Sequence, residues 1–456
     1  MKTKLGILLF ASLVLVFNGC KKNNDGEEFA EITVEESKAE VEDAGIKMVE
    51  TMDDMSEVQT IDVSISLGEK LGNSDPLAVA GSKSKVLTTI EAIAALKDPK
   101  NLEGTFDKLK AGPVLPDNPE TIKEIWDAVV GVYSWNDVTG VWDYSAEGDK
   151  ILFKFPASEE APSNNNAELS IYNYAGVKVS NPVDEDYTGD LPTDLNMDLK
   201  VDGSILMTYV YAVAYDDQGV PTSIATDLTI EGFKWEVDVT NNDSEISANY
   251  KFTYNDETIM DIGGGMKGNF TEEAVDNNTY YETDEYCWTD YQYNDVTDSY
   301  DEVEVCETEQ YEIVEVEEII NSANAHFQLF DIAIKGDVNV KKLGDELREI
   351  YDTDDYEIQD SLAAVAVNKY LNLRLLDGSN KIIAKVEAYS VTEVEEWGTE
   401  EYTYTYIDFR FKFGDGSKVD AETYFGDGFD SFMAEVNNMI NELNKEYDLM
   451  LDPVEY

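Results

Sequence analysis

The chain has 456 residues, a formal net charge of −63, a single histidine and a hydrophobic fraction of 43% that includes 27 Tyr, 17 Phe and 6 Trp. That length suffices for two or three cores, and so many aromatics mark a folded chain rather than an acidic disordered one. With 96 acidic against 33 basic residues, the composition excludes nucleic acid as a partner, because phosphates need clustered Lys and Arg, and disfavours lying flat on anionic lipid.

In chain order, Met1-Lys2-Thr3-Lys4 precedes thirteen uncharged residues, Leu5 to Phe17, and then Asn18-Gly19-Cys20. A basic start, a short apolar run and a small residue before a cut site make a secretory signal, too short for a stable membrane span. With cysteine at the cut, this start resembles a bacterial lipoprotein precursor. The resemblance implies removal of residues 1–19, diacylation of Cys20 on sulfur, and a chain anchored to the membrane by lipid. Lys21, rather than aspartate, follows the cysteine, and Asn23-Asn24-Asp25-Gly26-Glu27-Glu28 comes next. This tract resembles surface-exported lipoproteins of the Bacteroidota, which implies an outer-membrane, cell-surface location; Phe17 departs from the leucine usual three places before the cysteine. The resemblance covers about thirty residues, and the body of the chain resembles no characterised family.

Residues 20–32 read as a lipidated polar tether and 33–130 as a helical region. Thr33 with Glu36 has capping-box spacing, and Val34, Val41, Met48, Met52 and Met55 form one apolar stripe of a helix. A methionine stripe is either an adaptable binding face or, more commonly, core packing. Further helices are expected over 61–71 and 86–96. From 131 to 320 the period changes to two, as in Ile151, Phe153 and Phe155 and in Leu195, Met197, Leu199 and Val201. Asp202-Gly203 then turns the chain into Ile205, Met207, Tyr209, Tyr211, Val213 and Tyr215, a strong hairpin signal. Alternation with one wet face indicates antiparallel pairing. Gly263-Gly264-Gly265 lacks the Lys-Ser/Thr of a phosphate loop and is expected as a turn between strands.

Residues 321–456 read as a second α+β region: helices over 338–350 and 359–370, strands around the Asp377-Gly378-Ser379 and Asp415-Gly416-Ser417 turns, and a C-terminal amphipathic helix carrying Phe429, Phe432, Val436, Met439, Ile440 and Leu443. Between the turns, Tyr402, Tyr404 and Tyr406 are out of phase with Ile407, Phe409, Phe411 and Phe413, so a bulge or strong twist is expected near Tyr406. The fold class is α+β, with helices on one face of antiparallel sheet, twice.

Between 281 and 318 lie fifteen Asp and Glu, and from 268 to 334 no Lys or Arg. Two strands paired about a turn between Val296 and Thr297 place Cys287 opposite Cys306, Tyr293 opposite Tyr300 and Trp288 opposite Val305, three sensible cross-strand pairs from one register. A Cys287–Cys306 disulfide follows, in keeping with an exported chain. Among metals, calcium suits carboxylate-rich exterior loops; Asp352, Asp354, Asp355 and Glu357 are one candidate cluster and Asp184, Asp186 and Asp190 another, although neither has the glycine and terminal glutamate of a calcium-hand loop. With His326 alone, multi-histidine metal centres are excluded, and no Gly-x-Ser-x-Gly elbow accompanies it.

These features point to a membrane-anchored surface lipoprotein with a non-catalytic binding or structural role and a glycan or protein partner. Tyr286, Trp288, Tyr291 and Trp397 are the aromatic candidates for ligand contact. Alternatives are a carrier of an apolar ligand under a half-barrel-like sheet, and a glycosidase-like enzyme using paired carboxylates. No cofactor other than calcium is suggested.

Overall fold

The computed structural model describes residues 28–73, 122–158, 161–182, 190–294, 299–353, 356–397 and 400–426, with positions 434 and 437. The leader with Cys20, the helix expected over 86–96 and nearly all of the C-terminal apolar stripe lie outside these residues. The chain is mostly strand with some helix, arranged as one large mixed sheet and one small sheet, which is compatible with α+β.

Helix α1, Val34–Ser56, begins at Thr33 in extended conformation. Thr33 Oγ1 accepts from the Glu36 amide at 3.2 Å, and Glu36 Oε2 accepts from the Thr33 amide at 2.7 Å. The reciprocal bonds satisfy two orphan donors and set the helix start. Val34, Val41, Met48 and Met55 pack on a cluster that contains Phe233, Phe252, Ile332, Leu375, Phe411 and Phe413. These four residues of the stripe are therefore core packing. Helix α2, Gln59–Asn73, buries Val63, Leu67 and Leu71 in a second cluster with Phe153, Phe155, Leu169 and Leu199. A short α3, Ile122–Val129, leads into the sheet.

The strands are β1 Gly131–Asn136, β2 Val141–Ser145, β3 Ile151–Phe155, β4 Ala167–Lys178, β5 Asp190–Val201, β6 Ser204–Tyr215, β7 Pro221–Ile230, β8 Phe233–Asn241, β9 Glu245–Tyr254 and β10 Glu257–Gly268. After α4 (Glu272–Asn277) come β11 Thr279–Asn294 and β12 Ser299–Val314, then α5 (Val316–Ile319), β13 Ile320–Leu329 and β14 Ile332–Val338. Helices α6 (Val340–Tyr351) and α7 (Tyr356–Tyr370) precede β15 Leu371–Leu376, β16 Ile382–Trp397, β17 Glu400–Phe413, β18 Lys418–Asp420 and α8 (Ala421–Gly426). Sixteen strands form a single sheet in the order 18-17-16-15-14-13-10-9-8-7-6-5-4-3-1-2, while β11 and β12 pair only with each other.

Several expectations are corrected. The regions drawn on either side of residue 320 share one sheet, because β13, starting at Ile320, pairs with β10 and so re-enters at the edge the chain left before the hairpin. Pairing is not wholly antiparallel, since β1 runs parallel to β3. Asp202 and Gly203 take positive φ (50° and 84°) as the tight turn requires, but the register shifts after Leu199. Leu206 becomes the extra residue of a bulge, and Ile205 is turned out to 60% exposure.

The triple glycine is not a turn; it lies inside β10. A Cβ on Gly263 would collide with the Asn249 amide and the His326 ring, and one on Gly264 would lie 2.6 Å from the Asn324 carbonyl oxygen. Glycine is there to admit neighbours. The β16–β17 register is unbroken from Ala384 opposite Phe413 to Trp397 opposite Glu400, so no bulge occurs at Tyr406. Instead Tyr404 and Tyr406 occupy the face opposite Phe411 and Phe413, stack on each other, and donate to Glu393 at 2.7 and 2.8 Å. A phenol anchored to a carboxylate can face water, so the strand shows aromatics on both faces without changing register.

Candidate functional site

The acidic hairpin β11–β12 is where the sequence-derived aromatics and cysteines meet. Its register pairs Cys287 with Cys306, Trp288 with Val305 and Tyr293 with Tyr300, and the two cysteines form a disulfide. Two strands alone are marginal in water, and here residues 281–291 and 306–312 are exposed on both faces. The covalent link at mid-length holds the pair in register.

Alternation assigns the faces. Tyr286 and Trp288 share one face with Glu282, Asp284, Asp290, Glu307 and Tyr311, whereas Cys287, Cys306 and Tyr291 lie on the other. Tyr286 and Trp288 stack with ring centroids 5.8 Å apart and planes inclined by 26°. At 49% and 41% exposure they offer a paired aromatic surface to solvent. Tyr291, 61% exposed, is thus separated from them by the sheet. Trp397 is the last residue of β16, in the large sheet.

Carboxylates frame the aromatic pair and already accept from hydroxyl groups. Tyr311 Oη donates to Asp284 at 3.0 Å and Glu282 at 3.3 Å, which pushes its own pKa up to about 12. Tyr286 Oη donates to Glu307 at 3.4 Å, and on the opposite face Tyr281 Oη donates to Glu312 at 2.9 Å, raising the Tyr281 pKa. A negative acceptor next to a phenol disfavours its ionisation. Sequence reasoning missed these acceptors, although the same register that pairs the cysteines also sets Glu307 opposite Tyr286 and Glu312 opposite Tyr281. No family model, curated protein or solved structure matches the chain.

Both calcium candidates fall largely outside the described residues. Asp352 caps the end of α6 and is exposed, Asp354 and Asp355 lie outside the described residues, and Glu357 begins the second residue of α7. Of the second cluster, Asp184 and Asp186 lie outside the described residues and Asp190 opens β5. Among the described residues, the group that gathers three ligand-type atoms is Glu285, Cys287 and Cys306, but both sulfurs are in the disulfide and offer no thiolate. His326 sits in β13 with Nε2 2.9 Å from Asp261 Oδ1, both half-buried.

One cavity, of about 240 Å³, adjoins the core on the α1 face of the sheet. His326 and apolar neighbours that include Phe327 and Leu373 line it, and three more of its lining residues, Ile334, Val386 and Phe411, also belong to the cluster under α1.

Proposed function

We propose that this protein is a lipid-anchored, exported surface protein with a non-catalytic binding role, and that the Tyr286–Trp288 face of the hairpin contacts a polyhydroxylated ligand, a glycan. The stacked, solvent-exposed aromatic pair with carboxylates beside it carries the reading. The apolar face of a sugar ring covers aromatic carbon, while its hydroxyls donate to acceptors such as Glu307, Asp284 and Glu282, which already accept from the phenols of Tyr286 and Tyr311. The address rests on the leader and Cys20, and among the described residues no helix is long and apolar enough to cross a membrane.

A glycan array probed with the mature chain, followed by Trp288→Ala and Tyr286→Ala, tests the assignment. Binding that falls at least about fivefold in W288A, with the fold unchanged, is the expected result, since one stacked ring contributes about 1–3 kcal/mol in comparable base-stacking sites. No signal on any array counts against it. A second reading, carriage of a small apolar ligand, is favoured by the apolar cavity under the sheet. Solvent extraction and mass spectrometry of the purified protein would recover a bound lipid; a consistently empty protein removes this reading.

A further inference from the structure

On the face of the sheet opposite α1, one ladder row crosses five strands as Lys335 (β14), Arg374 (β15), Lys385 (β16), Lys412 (β17) and Lys418 (β18), each directly paired with the next. Neighbouring strands lie about 4.8 Å apart, so the row is about 19 Å long. In a chain of net charge −63 this concentration of cations is exceptional. Arg410 stands beside it. The carboxylates on the same face are Asp337, 3.5 Å from Arg374, and Glu387, which meets Lys418 at 2.6 Å, Arg410 at 3.1 Å and Lys412 at 3.5 Å. Asp408 and Asp420 lie close by and accept from Tyr389. Six cations therefore stand among these four carboxylates, and two further acids lie farther along the same face, Glu393 on β16 beyond Tyr389 and Asp261 on β10. At the β13 end the row continues to His326, which is paired with Asp261, and Lys335 meets the Asn380 side chain at 3.4 Å.

The N-terminal segment enters on this same face. Phe29 packs on Ala333, Leu376 and Ile382, and Lys385 Nζ lies 5.7 Å from its ring centroid. Ala333 and Leu376 are each two residues from ladder cations on their own strands. Only seven residues lie between Cys20 and Glu28, so the eight steps span at most about 29 Å.

We propose that this basic ladder is a docking surface for the phosphate groups of anionic lipids in the membrane to which Cys20 is tethered, turning the β14–β18 face toward the bilayer and leaving the rest of the acidic surface directed away. The proposal rests on the anchored reading above. At physiological salt, charges beyond about 8 Å are screened, so the local patch and not the net charge decides contact. Each Lys or Arg at a lipid surface is worth about a fivefold change in partitioning.

The test is co-sedimentation of the mature chain carrying Cys20→Ala, which cannot be acylated, with phosphatidylcholine vesicles that contain or lack phosphatidylglycerol. Expected are binding only where phosphatidylglycerol is present, a loss on the order of 20-fold or more in K385E/K412E, and a several-fold gain in Glu387→Gln, which keeps the lysines and removes their shared counter-charge. Equal partitioning of these variants, equal binding to phosphatidylcholine alone, or protection of the lysines from acetylation by pyrophosphate without vesicles would each overturn the lipid assignment. Lipidation is read separately from the mass of the Cys20 peptide of membrane-extracted protein. An unmodified Cys20 would remove the anchor while leaving the vesicle result to stand or fall by itself.

Discussion

Replacing Cys287 and Cys306 together by serine should open the acidic hairpin without unfolding the sheet. The bridge spans a sequence separation of 19. Closing a loop of about 20 residues lowers the entropy of the opened hairpin by about 11 cal/mol/K, or about 3 kcal/mol near 25 °C, in the chain-entropy model. At about 1.4 kcal/mol per tenfold change, local opening becomes about 200 times more frequent. Apart from Val314, which packs on the Ile319–Ile320–Ala323 cluster, the hairpin contributes nothing to the buried clusters among the described residues. The penalty is therefore local. Hydrogen-exchange mass spectrometry is the assay: amides of 279–314 should exchange faster by about that factor, while β9 and β10 keep their rates. Unchanged exchange in the hairpin, or acceleration that spreads equally into β9 and β10, would refute both the magnitude and the independence of the element.

Thr33→Ala removes one half of the capping box and should cost about 1 kcal/mol, read by urea denaturation with an unchanged slope. Gly264→Ala sets a Cβ against the Asn324 carbonyl oxygen at 2.6 Å, so a loss of about 1–3 kcal/mol is expected, and an unperturbed melting temperature would show that β10 and β13 can separate freely. Glu40 has its pKa raised by burial, reinforced by Asp377, Asp331, Glu36 and Asp43. A carboxyl raised in the folded state holds its proton more readily there than in the unfolded chain, so its ionisation costs stability at neutral pH, a cost recovered as pH falls through the folded value. Glu40→Gln should accordingly stabilise at pH 7 by less than about 1 kcal/mol, solvent screening included, with no gain in acid. Melting curves across that range check the sign.

Local chemistry was legible wherever the interacting groups are near in sequence. Thr33 and Glu36 are three residues apart, Asp202-Gly203 occupies two positions of positive φ, and β11 and β12 are near neighbours in sequence, so the same register that aligns the cysteines aligns every residue from Thr279 opposite Val314 to Asn294 opposite Ser299. Side-chain period alone misled where a strand uses both faces, as with Tyr404 and Tyr406 bound to Glu393, or where one extra residue inverts the face, as at Leu206.

What this sequence determines by itself is therefore the Thr33 cap, the Asp202-Gly203 turn and the hairpin register, because each depends on backbone conformations and pairings among near neighbours. Only the tertiary structure decided that β13 returns to β10 and joins two expected sheets into one, and that cations spread from Lys335 to Lys418 align in a single row. Those outcomes depend on which strand edges find each other across long stretches of chain. Many pairings satisfy the same alternation, and burial of one face of the sheet under α1 and α2 selects among them.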